Sequence, residues 1–92
     1  MFEFVGLNDG TIIFHSKPFT EDGVERVRVA VERINDSDIQ SALMCLPIYE
    51  WVDSDGFTSE ELDYFNDLIQ RTAHIIYDLA RTGGIDHNAA AV

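Results

Sequence analysis

The chain has 92 residues, of which 46% are hydrophobic, and a formal net charge of -11 from 17 acidic and 6 basic residues. A single domain with this apolar content is expected to fold, but its core is too small for a large enclosed cofactor site. The excess of carboxylates disfavours direct binding to nucleic acid or anionic lipid, which are polyanions, and favours basic protein surfaces.

The cysteine content and the hydropathy pattern indicate the cellular compartment of the protein. Cys45 is the only cysteine, so no internal disulfide can form, whereas small secreted domains usually carry several. The first ten residues have neither the basic nor the apolar region of a signal peptide. The longest apolar run, residues 42–46, is far shorter than the roughly 20 residues that span a bilayer. These features predict a soluble cytoplasmic protein, located in the host cytoplasm if the source is viral.

The N-terminal residues predict a β-hairpin. Apolar side chains recur with the strand period of two at Phe2, Phe4, Ile12 and Phe14. Gly10 suits the left-handed position of a three-residue loop. That loop sets Phe4 opposite Phe14 and Glu3 opposite His15, whereas a two-residue loop would set Phe4 opposite His15. We expect the first register because it places the aromatic rings on one face.

Residues 20–34 fit two kinds of secondary structure. Helical spacing is present at Val24, Val27, Val31 and Ile34. However, Val27, Val29 and Val31 also alternate, and β-branched residues favour strands. Thr20 is a suitable N-cap and Arg33 a favourable residue for the last turn. The caps favour the helix, and the strand remains the alternative.

A second helix is predicted over residues 37–46. Ser37 and Gln40 have the spacing of a capping box. The apolar face of this helix would be Ile39, Ala42, Leu43 and Leu46. Pro47 disfavours helical geometry at the residue before it, so the helix should end there. Residues 47–52 are then expected to form an irregular, largely apolar stretch.

A third, long helix is predicted over residues 58–82. Thr58 and Glu61 form another capping box, and Gly83 supplies the stop. The helix carries a continuous apolar stripe: Leu62, Phe65, Leu68, Ile69, Ile76, Leu79 and Ala80. The sequence therefore predicts one α+β domain over residues 1–92. An N-terminal β-hairpin would pack on two or three α-helices, of which the C-terminal one is long, and residues 85–92 would form a short tail.

The acidic residues are concentrated in the middle of the chain. Nine carboxylates and no basic residue lie between Arg33 and Arg71. Such a concentration is destabilising because the charges repel each other, so it requires an explanation. One explanation is a surface that binds a basic partner. Aromatic residues beside acidic ones are typical of an interface centre with a charged rim. The residues predicted to bind a partner are Asp53, Asp55, Glu60, Glu61, Asp63, Asp67, Tyr49, Trp51 and Tyr64.

This pattern favours a small acidic inhibitor or adaptor that docks on a basic surface of a nucleic-acid-handling protein. Asp63 and Asp67 lie one helical turn apart, about 6 Å, which is comparable to phosphate spacing and is compatible with nucleic-acid mimicry. In size and charge alone the chain resembles the small acidic antagonists of phages and plasmids. Two alternatives are a solvated acidic face and adaptation to a salt-rich cytoplasm. The identity of the partner does not follow from the sequence.

Residues 53–61 suggest a second function, a calcium-responsive domain, because they partly match an EF-hand loop. The match fails at its ends, since Trp51 would occupy the first ligand position and Leu62 the last. We therefore predict neither a metal nor any other cofactor. No phosphate-binding glycine motif is present, and Cys45 and the histidines show no metal-ligand spacing. Enzyme activity is not expected.

A third function would be that of a structural oligomer subunit with no ligand. The second half of the long helix has an apolar band wider than a single core-facing stripe. We expect a symmetric homodimer whose interface contains Ile75, Ile76 and Leu79.

Overall fold

The computed structural model describes residues 1–36 and 38–83. Its dominant element is an antiparallel six-stranded sheet rather than a set of helices. The elements in chain order are β1 (Phe2–Gly6), β2 (Thr11–His15), β3 (Phe19–Glu21), β4 (Val24–Asn35), β5 (Asp38–Leu46), β6 (Ile48–Asp55) and α1 (Ser59–Arg81). The strand order is β1-β2-β4-β5-β6, and β3 pairs with β4 outside this path. The predicted hairpin on two or three helices is therefore wrong, although α and β structure are both present.

Residues 20–34 form strands, not a helix. Asp22 and Gly23 both have positive φ angles, 52° and 78°, as a type I′ turn requires, and they join β3 to β4. The β4 residues Val27, Val29 and Val31 are fully buried on one face of the sheet. The alternation of these β-branched residues prevailed over the helical spacing because β4 is paired along both of its edges.

The second predicted helix is also wrong. Its residues form β5, in which Ala42, Met44 and Leu46 alternate on the buried face. Ser37, its predicted N-cap, lies outside the described residues. Gln40 instead donates a hydrogen bond to the carbonyl of Gly56, which ties β5 to the loop before α1. The stretch 47–52, predicted to be irregular, belongs mostly to β6.

The N-terminal hairpin and the third helix are confirmed, with one change of register. Gly10 has a φ of 87° in the predicted hairpin loop. Phe2, not Glu3, pairs with His15, and Glu3 pairs with Phe14. A bulge between Glu3 and Val5 then shifts the pairing, which the sequence pattern did not reveal. The short tail predicted for residues 85–92 lies outside the described residues.

The core lies between one face of the sheet and α1. Its helix residues recur at helical spacing: Phe65, Ile69, Ala73, Ile76 and Ala80. Its sheet residues are Ile13, Val27, Val29, Val31, Met44 and Leu46. The protomer measures 37 × 35 × 21 Å, and the short dimension corresponds to two stacked layers. No helix among the described residues is long and apolar enough to cross a membrane.

The opposite face of the sheet, which we call the open face, is not covered by α1. Because neighbours along a strand point to opposite sides, the residues between the core positions belong to it. The open face is formed by Ile12, Phe14, Arg28, Ala30, Glu32, Ile34, Ile39, Ser41, Leu43 and Cys45.

Candidate functional site

The first half of α1 carries an exposed tyrosine between carboxylates. Tyr64 is 54% exposed, and its ring centroid lies 5.6 Å from that of Phe65 in an edge-to-face contact. Glu60, Asp63 and Asp67 are exposed and lie within one helical turn of Tyr64. We call these four residues, Glu60, Asp63, Tyr64 and Asp67, the acidic patch.

The carboxylates of the acidic patch differ in their ion pairing. Asp67 Oδ2 lies 2.9 Å from Arg71 Nε, in an exposed pair one turn along the helix. Within the described part of the chain, Glu60 and Asp63 form no ion pair. Their charges are therefore uncompensated and available to a basic partner.

Glu61, although predicted to bind a partner, has a structural role at the start of α1. Its carboxylate accepts a hydrogen bond from the Thr58 backbone N–H at 3.0 Å and pairs with Arg33 of β4. The Thr58 side chain accepts in return from the Glu61 N–H, which confirms the predicted capping box. The bond from the Thr58 N–H, followed by the bond from Arg33, holds the pKa of Glu61 below its ordinary value.

Asp53 and Asp55 do not join the acidic patch. They lie on β6 opposite Leu43 and Ser41, two residues that point away from the buried face. Asp53 also lines a cavity of about 270 Å³ together with Ala30 and Leu43. The two aspartates therefore belong with the open face, so the sheet separates them from the carboxylates on α1. The six predicted carboxylates do not form one surface.

Two of the three predicted aromatic contacts are part of the protein's own packing. Tyr49 and Trp51 are half-buried and pack against the core under α1. Asn66 of α1 donates a hydrogen bond to the Tyr49 carbonyl at 3.0 Å, which holds the helix against β6. Of the three, Tyr64 is the one that is exposed.

The segment suggested as a calcium loop has a different architecture. Asp53 and Asp55 lie on a strand, and α1 begins four residues after Asp55. An EF-hand requires a helix before its loop, and β6 occupies that place here. Among residues 1–36 and 38–83, no group of three or more His, Cys, Asp or Glu side chains is arranged to hold a metal ion.

The predicted helix-to-helix interface is only partly accessible. Ile76 is fully buried against the sheet, so it cannot contact a second helix. Ile75 is 42% exposed and Leu79 is half-buried. A dimer through these two residues remains a prediction.

The sequence patterns did not identify the exposed apolar residues of the sheet. Ile34 and Ile39 face each other at one end of β4 and β5 and are 72% and 64% exposed. Val24 and Ile48 are exposed near the other end of these strands. The interrupted alternation of apolar residues was the available signal, but it was interpreted as helical spacing.

The arginines show a second feature that the sequence did not reveal. Four of the five form ion pairs: Arg26 with Glu21, Arg33 with Asp9 and Glu61, Arg71 with Asp67, and Arg81 with Glu25 and Asp78. Arg28 has no carboxylate partner among the described residues. Its guanidinium carbon instead lies 4.3 Å from the Phe19 ring centroid.

Comparison with known proteins assigns no relative: no family model, curated protein or solved structure matches the chain.

Proposed function

We propose that this protein is a small protein-binding domain, an inhibitor or adaptor, whose acidic patch docks on a basic surface of a nucleic-acid-handling protein. The observation that carries the proposal is the exposed Tyr64 ring beside Glu60 and Asp63, two exposed carboxylates that form no ion pair within the described part of the chain. Tyrosine is a preferred anchor at the centre of protein interfaces, and charged residues at the rim steer a partner of opposite charge.

The rigidity of α1 supports this role. The capping box and the contact of Arg33 with Glu61 fix the first turn, which carries Glu60 and leads to Asp63. Carboxylates one turn apart on a fixed helix present charge at intervals of about 6 Å, similar to the phosphates of a nucleic acid. An acidic patch of this kind would compete with nucleic acid for a binding protein rather than bind nucleic acid itself.

Displacement of DNA-binding proteins tests the proposal. Cell proteins retained on DNA-cellulose are challenged with the wild-type protein, and the eluted proteins are separated by electrophoresis. We expect discrete species to elute. The elution in excess of that caused by salt alone should weaken as the salt concentration rises. The variant Glu60→Gln/Asp63→Asn should need about tenfold more protein for the same elution, because two charge contacts are lost.

A matched variant distinguishes the patch from bulk charge. Asp22→Asn/Glu50→Gln removes one aspartate and one glutamate elsewhere on the surface, and both residues are exposed. It has the same net charge as the patch variant and should elute like the wild type. If both variants elute the same proteins as the wild type does, the acidity is a solvent adaptation and the proposal fails.

A further inference from the structure

We propose that the open face binds a second copy of this chain, face to face, about a two-fold axis that passes over Ala30 and runs across β4. This inference is independent of the acidic patch, because the open face and α1 lie on opposite sides of the sheet. It rests on the charges of β4, on an apolar pocket, and on the dimensions of the face.

The charges along β4 are complementary to themselves about Ala30. Arg28 and Glu32 are exposed on the open face, two residues before and two residues after Ala30. They are four residues apart on one strand, about 14 Å, so they cannot pair within a protomer. The proposed axis places residue 28 of one copy opposite residue 32 of the other. Each dimer would then contain two Arg28–Glu32 pairs, which give Arg28 the carboxylate partner that it lacks within the described protomer.

The same axis covers two strongly exposed apolar residues, Ile34 and Ile39. Ile34 lies four residues beyond Ala30 on β4 and pairs with Ile39 of β5. The axis sets this isoleucine pair over the position of Arg26 in the partner. A pocket of about 230 Å³ lies at that position, and its wall is mainly apolar because Val24, Pro47 and Ile48 contribute to it.

The bottom of this pocket is preformed. Arg26 is fixed by Glu21 at 2.6 Å and donates hydrogen bonds to the carbonyls of Cys45 and Leu46. The pocket extends from β3 to β6, so a rotation of about 30° between packed sheets still leaves the isoleucine pair above it. By symmetry the dimer has two such contacts.

The middle of the face is suited to sheet packing. Phe14, Ala30 and Leu43 are half-buried neighbours on three adjacent strands. The face lies in the plane of the two larger dimensions, 37 and 35 Å, which is large enough for the roughly 800 Å² that each partner buries in a specific interface. At the two ends of this row, Glu3 would face Glu3 of the second copy, and Asp53 would face Asp53. Like charges would therefore repel each other at the rim of the interface.

Sedimentation equilibrium tests which surface associates. The wild type should sediment as a species of twice 10.4 kDa at micromolar concentration. Ile39→Asp should give the monomer. Ile75→Asp, the same substitution at an exposed position of α1, should remain dimeric. Both residues are exposed, so neither change should alter thermal unfolding of the monomer. A monomeric wild type up to near-millimolar concentration, or dissociation by Ile75→Asp but not by Ile39→Asp, would overturn the proposal.

A charge exchange tests the axis itself. Arg28→Glu and Glu32→Arg should each raise the dissociation constant about tenfold or more, because each variant brings like charges together. An equimolar mixture of the two should associate as tightly as the wild type, since every contact then joins opposite charges. The double variant Arg28→Glu/Glu32→Arg should also recover. Failure of both the mixture and the double variant to recover would exclude this axis.

The salt dependence distinguishes this association from the proposed function. Salt screens both the repulsion between two copies of net charge -11 and the attraction of the two Arg28–Glu32 pairs, so the two effects oppose each other and the dimer should change little as salt is added. Docking of the acidic patch on a basic partner should weaken under the same conditions. Glu60→Gln/Asp63→Asn should leave the dimer intact, so either proposal can fail while the other stands. A dimer that dissociates in Glu60→Gln/Asp63→Asn would contradict the face-to-face arrangement.

Discussion

The covered face and the open face of the sheet take side chains from the same strands, yet only the covered face is packed against α1. On the covered face, apolar residues form the core and the stripe of α1 packs directly against them, while Thr11 and His15 of β2 are buried on the same side. On the open face, apolar residues alternate with charged residues that form no ion pair among the residues described, and the most exposed isoleucines lie at one end. Residues 1–36 and 38–83 contain one helix, α1, and it covers one face of the sheet. The proposed interface rests on this mixed pattern of apolar and charged residues on the other face.

The largest expected effect is a difference in stability between substitutions at two adjacent isoleucines, one on each face of the sheet. Ile13 is fully buried under α1, and Ile12 is half-buried on the open face. Ile13→Ala should lower the free energy of unfolding by about 3 kcal/mol, because it removes packed methyl groups and leaves a cavity. Ile12→Ala should cost less than about 1 kcal/mol. Urea denaturation at low protein concentration, where the monomer predominates, measures both.

If the two variants were equally destabilised, the open face would be a second core of the monomer. The proposed interface would then have no basis. Equal and small effects would instead mean that α1 is not packed on the sheet as described.

A smaller loss of stability is expected when Arg33 of β4, which pairs with Glu61 of α1, is replaced. Arg33→Gln removes the contacts with Glu61 and Asp9 and should cost about 1–2 kcal/mol, since its side chain is largely buried. Arg71→Gln is the matched control, because its pair with Asp67 is exposed on both sides. That control should change stability by less than about 0.5 kcal/mol in the same denaturation assay. Equal effects of the two variants would show that Arg33 does not anchor the helix.

The smallest effect is the pH dependence of this anchor. The pKa of Glu61 is lowered below its ordinary value of 4.5 in the folded protein, by the Thr58 N–H and by Arg33. The stability that its ionised form contributes is therefore complete above pH 4.5 and is lost as the pH falls through the folded value. The difference in unfolding free energy between wild type and Arg33→Gln should shrink across that range. A difference that stays constant from pH 7 to about pH 3 would contradict the role of Glu61.

The parts of the fold that could be predicted from the sequence depend on local signals. The loop at Gly10 and the capping box of Thr58 with Glu61 specify their own geometry, and both were found. Residues 20–34 satisfied the helical and the strand period at once, so only pairing with neighbouring strands could decide between them. The Asp22-Gly23 pair is a local signal for the turn between β3 and β4, and the helical interpretation did not take it into account.

The candidate site was predicted less well for the same reason. Asp53 and Asp55 were grouped with the carboxylates of α1 because they are close in sequence. Once residues 48–55 form a strand, its alternation sends these aspartates to the face opposite the helix. The contact between Arg33 and Glu61 joins residues 28 positions apart, and no periodicity within either segment encodes it.

The difference between the two faces is tested most directly by a short-range crosslink. Cys45, the only cysteine, lies on the open face four residues from Ser41 of the same strand. The proposed axis places residue 41 of one copy opposite Cys45 of the other. Ser41→Cys should therefore be joined into covalent dimers by a bismaleimide whose span matches the roughly 10 Å between packed sheets.

The wild type should not be joined by this reagent, because its two copies of Cys45 are offset along the strands. Gln70→Cys, an exposed position on α1, is the control for the opposite side of the molecule and should also remain uncrosslinked. Denaturing electrophoresis after brief treatment at micromolar protein gives the result. The account predicts dimers from Ser41→Cys alone. Dimers from Gln70→Cys, with none from Ser41→Cys, would contradict it.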